Sequence, residues 1–79
     1  MNLEINLFAY FREFLPRQSG KESCFLEMPE GATIGQVIEK LKIPRSMPII
    51  TLVNGIQRES GDILHPGDVL SVFPPVAGG

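Results

Sequence analysis

Along the start of the chain, apolar residues fall on every second position: Leu3, Ile5 and Leu7 alternate with Asn2, Glu4 and Asn6. A period of two places those three side chains on one face of a strand. From Phe8 the rhythm lengthens. Phe8, Phe11 and Leu15 recur at helical spacing, so FAYFREFL predicts a short helix or turn that Pro16 stops. Residues 17–21 (RQSGK) form a polar turn. Residues 22–28 read as a second strand, with Cys24, Leu26 and Met28 on one side and Phe25 with Glu27 on the other. As an outward aromatic, Phe25 is a candidate partner contact.

Thr33 followed by Gln36 fits a capping box, in which each side chain satisfies the other's backbone N–H. Ile34, Val37, Ile38 and Leu41 then form one apolar stripe, and Pro44 ends this helix by about Lys42. The continuous apolar run at 49–53 predicts a strand covered on part of both faces. Asn54-Gly55 is a hairpin turn signal that returns the chain through a short strand at 56–58. After a turn at His65-Pro66-Gly67-Asp68, VLSVF is the last strand, with Leu70 and Val72 on one face and Phe73 on the other. One amphipathic helix on one face of a mixed sheet of four or five strands is an α+β layout. If the first two strands pair, a right-handed crossover through the helix sets the following strand parallel to a neighbour. This is the ubiquitin-like β-grasp arrangement, expected as a domain over 1–75 with a flexible tail at 76–79.

Length and charge act by exclusion. A 79-residue chain makes one domain, in a size range that buries only about 60% of the unfolded surface. That leaves no room for a deep cleft, which argues against a self-contained enzyme. Seven basic residues against nine acidic, without a Lys/Arg run, give no nucleic-acid footprint. The single cysteine, Cys24, supports neither a disulfide framework nor a Cys-rich metal site and reads as a small buried hydrophobe. His65 stands alone among histidines; with Asp62 and Asp68 it matches no ligand spacing, so no metal is expected. Neither phosphate-binding glycine signature occurs. MNLEINLF does not read as a signal peptide, and no stretch approaches the roughly 20 apolar residues of a membrane span. A cytoplasmic protein is expected, without membrane or nucleic-acid partners.

The body thus lacks a catalytic set, and the remaining candidate is FPPVAGG. Pro74-Pro75 closes the last strand because neither residue can donate to a ladder. Gly78 and Gly79 pack nothing and cost backbone entropy to order. The block at 64–79, LHPGDVLSVFPPVAGG, resembles the ending of the MoaD and ThiS sulfur carriers, most closely that of molybdopterin synthase small subunits. Leu7-Phe8-Ala9 with Arg12-Glu13, Glu30-Gly31-Ala32-Thr33 and Val53-Asn54-Gly55 extend the similarity over nearly the whole chain.

The resemblance implies that the carboxylate of Gly79 is the working group. An E1-like adenylating enzyme (MoeB-like) activates it with ATP, and sulfur replaces AMP to give a thiocarboxylate. The large subunit of molybdopterin synthase (MoaE-like), in a two-plus-two heterotetramer, then receives the tail, and sulfur passes to a pterin precursor. The carrier itself binds no cofactor; ATP belongs to the activating partner. The residue types suit this work. A C-terminal carboxyl ionises with a pKa of about 3.3–3.7, so it is a poor electrophile until activated. Gly79 and Gly78 lack Cβ atoms and can thread a narrow channel, followed by Ala77 and an apolar anchor at Val76. Four extended residues reach roughly 13 Å beyond Pro75, and Pro74-Pro75 keeps them from folding back. Phe73 either docks on a partner, with Pro74, Pro75 and Phe25, or packs on its own body. Gly-Gly endings on this fold also serve thiazole-forming carriers, other sulfur carriers and protein-modifying tags, and an interaction module with an inert tail is the remaining reading. The Pro-Pro pair favours the molybdopterin side.

Overall fold

A computed structural model describes residues 1–16 and 23–75. The expected turn at 17–21, Glu22 and the tail residues Val76, Ala77, Gly78 and Gly79 lie outside the described residues. In chain order the elements are strand β1 (Asn2–Leu7), a 3₁₀ helix (Ala9–Phe14), β2 (Ser23–Glu27), helix α1 (Ile34–Lys40), β3 (Ile50–Val53), β4 (Ile56–Gln57) and β5 (Val69–Phe73). The five strands form one sheet in the order β2-β1-β5-β3-β4.

Alternation sets the two faces. Leu3, Ile5, Leu7, Leu70 and Val72 are fully buried beneath α1, whose Ile34 and Val37 are buried as completely. Cys24 of β2 and Met28, one residue past its end, join them, as their spacing predicts. The crossover behaves differently from expectation. The strand after the helix, β3, is antiparallel to both of its neighbours, and the one parallel pair is β1 with β5. The C-terminal strand has slipped between β1 and β3, because its Leu70 and Val72 make the middle of the core. Closing that pair joins the two ends of the chain, a long-range contact that no local pattern encodes.

Helix α1 accounts for each of its first amide groups. Thr33 Oγ1 accepts from Gln36 N at 3.2 Å, and Gln36 Oε1 accepts from Thr33 N at 2.9 Å, the reciprocal cap expected from the sequence. Ile34 N donates to Asp62 O at 3.1 Å and Gly35 N to Ser60 O at 2.8 Å, so the 59–62 loop closes the remaining helix end. A Cβ at Gly35 would lie 3.2 Å from that Ser60 oxygen, which explains a glycine in the first turn. The helix ends at Lys40, two residues before the expected limit. Lys42 adopts a left-handed φ of 64°, and Ile43 N reaches back to Ile38 O at 3.2 Å. A left-handed residue after the last turn stops the helix before Pro44 can act.

The β3–β4 turn is as the Asn-Gly pair predicts, with φ of 52° at Asn54 and 85° at Gly55. Asn54 also ties the hairpin to β5. Its Oδ1 accepts from Val69 N at 2.9 Å, and its Nδ2 donates to Asp68 Oδ1 at 2.9 Å. Replacing Asn54 with Ala removes both bonds and places a Cβ-bearing residue without Asn's left-handed tolerance at positive φ. Denaturant unfolding of Asn54→Ala should show a loss of about 2 kcal/mol with an unchanged m-value.

Candidate functional site: the exit of the last strand

Strand β5 carries the chain from the sheet centre to the tail, and its alternation decides what surrounds the exit. Leu70 and Val72 point into the core; Val69, Ser71 and Phe73 point to the face that α1 does not cover. Phe8, one residue past β1, donates its N–H to Val72 O at 3.1 Å, which extends the parallel ladder to the end of β5. Ala9 then turns the chain at a φ of 55°. The result is a stack of the Phe8 and Phe73 rings, with centroids 4.5 Å apart and planes within 3° of parallel.

This stack divides the aromatic cluster that periodicity grouped together. Phe11 is fully buried, and Phe14 and Leu15 pack partly against the core. Phe8 leaves that stripe for the opposite face because the chain bends into a 3₁₀ turn just after it. Register places Ile50 beside Phe73 and Leu52 beside Ser71. Phe8, Phe73, Ile50 and Leu52 are all half-buried, a connected apolar strip on the helix-free face. Phe8, Ile50 and Leu52 were not singled out from the sequence. The signal for the latter two was present: in the run IITLV, alternation fails and both faces are apolar.

Pro74 is half-buried and Pro75 exposed. The base of the tail is therefore held by a ring stack and a backbone bond, with prolines leading away from it. Phe25 lies on the same face, opposite Glu4, which in turn lies beside Val69. Two strand spacings across and four residues along separate it from Phe73 by about 16 Å. Phe25 therefore does not belong to the aromatic strip at the exit. Gly79, Gly78, Ala77 and Val76 fall outside the described residues.

The His65 loop is turn chemistry. Asp68 Oδ2 accepts from His65 N at 2.8 Å and Asp62 Oδ2 from Glu59 N at 2.9 Å, so both carboxylates cap their own turns. The His65 side chain is 76% exposed. A recess of about 180 Å³ beside Asn54, Ile56, Asp62 and Ile63 sits at the start of β5, the far end of that strand from Phe73. Among the described residues no group of three His, Cys, Asp or Glu side chains could hold a metal ion. No helix among them is long and apolar enough to cross a membrane.

Comparison with known proteins places this arrangement. The small archaeal modifier protein 3 of Haloferax volcanii is 29% identical over 96 aligned positions, with both chains covered completely. The solution structure of the H. volcanii HVO 2177 protein superposes with a TM-score of 0.78 at 32% identity, covering 100% of this chain and 87% of that one. A candidate molybdopterin converting factor, subunit 1, from Pyrococcus furiosus gives a TM-score of 0.77 at 28% identity, over 95% of this chain and 98% of the other. The ThiS family model matches residues 5–79, spanning the sheet, the helix and the Gly-Gly end. With its ubiquitin-like β-grasp sheet, this chain belongs to the ThiS family, the group of sulfur carriers and ubiquitin-like modifiers.

Proposed function

We propose that this protein is a sulfur carrier of the molybdopterin type, with the Gly79 carboxylate as the group that is activated and loaded. The observation that carries the reading is the central strand β5 ending at a braced aromatic exit, where the sequence continues as PPVAGG and the family model matches through to Gly79. On this reading the body is a platform that presents the tail, and the activating chemistry belongs to a partner.

The chemistry then runs in two exchanges at one carbonyl. A Gly79 carboxylate oxygen attacks the α-phosphorus of ATP on an E1-like enzyme, and pyrophosphate leaves. Hydrosulfide, at the sulfide oxidation level, adds to the activated acyl-adenylate carbon; AMP departs and the S–H proton is lost, leaving a thiocarboxylate. Gly78 and Gly79 let the backbone lie close to the nucleotide, since neither carries a Cβ. The strip of Phe8, Phe73, Ile50 and Leu52 beside the exit gives that enzyme, and afterwards a large synthase subunit, an apolar surface next to the tail. Sulfur then passes to a pterin precursor.

Intact mass spectrometry tests the reading. After incubation with ATP, an E1-like enzyme and a sulfur donor, the chain should gain the mass difference between sulfur and oxygen, localised to Gly79. A chain whose C-terminal fragment keeps both oxygens under every such pairing overturns it. The modifier-named relative supports a second reading, in which the same adenylate acylates a lysine amine of another protein. Branched Gly-Gly remnants on lysines of cellular proteins, without thiocarboxylate, would select that one.

A further inference from the structure

The sheet has two rims, and they differ. β4 ends one side with only two residues, Ile56–Gln57. β2 ends the other with five, Ser23-Cys24-Phe25-Leu26-Glu27, free of proline and lysine, the usual devices that keep an edge from pairing. Met28 N donates to Met1 O at 2.9 Å and the Met1 amine to Met28 O at 2.6 Å. By alternation, Leu26 and Cys24 also turn their backbone groups toward β1, opposite Leu3 and Ile5. Ser23, Phe25 and Glu27 therefore present theirs to the outside. Phe25, at the centre of this row, is 76% exposed, the most exposed large apolar side chain among the described residues.

We propose that β2 is a self-association edge, through which two copies pair antiparallel about a two-fold axis at Phe25. The pattern is complementary to itself. Ser23 falls opposite the second copy's Glu27, Phe25 opposite Phe25, and Cys24 opposite Leu26. The pairs 23–27, 25–25 and 27–23 each exchange both backbone bonds, and Glu27, the only charged side chain of the strand, meets a serine rather than another carboxylate. Moving the axis to Leu26 leaves Ser23 unpaired and sets Glu27 against Phe25. This self-complementarity identifies the occupant as a second copy, because an isologous contact requires one surface to match itself.

The assembly joins two sheets into one and keeps the ends of both β5 strands away from the seam. β5 lies two strands in from this rim, and β5 of one copy runs antiparallel to that of the other, so the two exits face opposite ends. A single strand pair buries less than a standard interface of about 1,600 Å², which puts the pairing among weak, transient contacts.

Sedimentation equilibrium of the whole chain from about 10 µM to about 1 mM should show mass rising from monomer toward dimer across that range. Phe25→Lys, which sets two ammonium groups face to face, should raise the dissociation constant at least about tenfold. In a Cys24→Ala background, Phe25→Cys should form an intermolecular disulfide on mild oxidation faster than Lys40→Cys on α1. The expected Cα separation of about 5.5 Å in such a pair suits that bond. Monomer mass at every concentration overturns the proposal, as does a constant unmoved by Phe25→Lys or a Phe25→Cys link no faster than the Lys40→Cys control. Should circular dichroism show Phe25→Lys unfolded, the wild-type mass and the cross-linking comparison decide.

Discussion

Deleting Gly78 and Gly79 should abolish sulfur loading while leaving the thermal midpoint of the body where it was. Neither glycine has a side chain to bury, so the cluster of Leu3, Ile5, Leu7, Phe11, Leu70 and Val72 loses nothing. The carboxylate, however, retreats by about 7 Å, two residues of extended chain, and ends on Ala77. At that distance it misses a reaction centre by far more than the roughly 1 Å that already costs about 100-fold. Gly79→Ala separates the two roles of the residue: the carboxylate keeps its place, a Cβ enters the narrow path, and loading slows without vanishing. Intact mass after the loading reaction, with a melting curve on each variant, gives both readouts. Normal loading of the truncated chain would move the reactive group elsewhere in the molecule and end the carrier proposal.

Phe73→Asp is expected to have the second-largest effect. Its ring stacks on Phe8 on the face away from α1, so the structure gives it an intramolecular neighbour as well as a place beside the exit. If the strip docks the activating enzyme, a charge at its centre costs what a hot spot costs, about 2–4 kcal/mol, or roughly 30- to 1,000-fold in kcat/KM of that enzyme for this carrier. The loss should sit in KM. The lost ring pair itself is worth only about 0.5–1.5 kcal/mol, a drop of several degrees for a domain of this size. A variant that melts lower but is adenylated with unchanged KM would make Phe73 a brace for the end of β5 and nothing more. Phe73→Leu, which keeps apolar area without the ring, should recover most of the KM.

Much of the local architecture was legible because it is encoded locally. The alternation over residues 2–7 names the buried face of β1, and Thr33 with Gln36 marks the start of α1 to the residue. Asn54-Gly55 demands two positive φ angles and has them. The helix end was less legible, since a left-handed Lys42 has no compositional mark of the kind glycine leaves. The short helix after β1 is as its spacing predicts, but the place of Phe8 beside it was not legible, for a related reason. Its spacing to Phe11 fits a helix, but a 3₁₀ turn entered through Ala9 at positive φ sends the two rings to opposite faces.

The sequence by itself determined the order of the elements, the core-facing sides of β1, α1 and β5, and a Gly-Gly end that resembles a family of carriers, because periods, caps and turn residues act over a few positions. Only the tertiary structure decided that the last strand occupies the middle of the sheet beside the first. It also decided that Phe73 meets Phe8, with Ile50 alongside, and that Phe25 stands apart on the outermost strand, β2. Those facts depend on closing loops across most of the chain, where the burial of Leu70 and Val72 chooses among pairings that every local pattern permits equally.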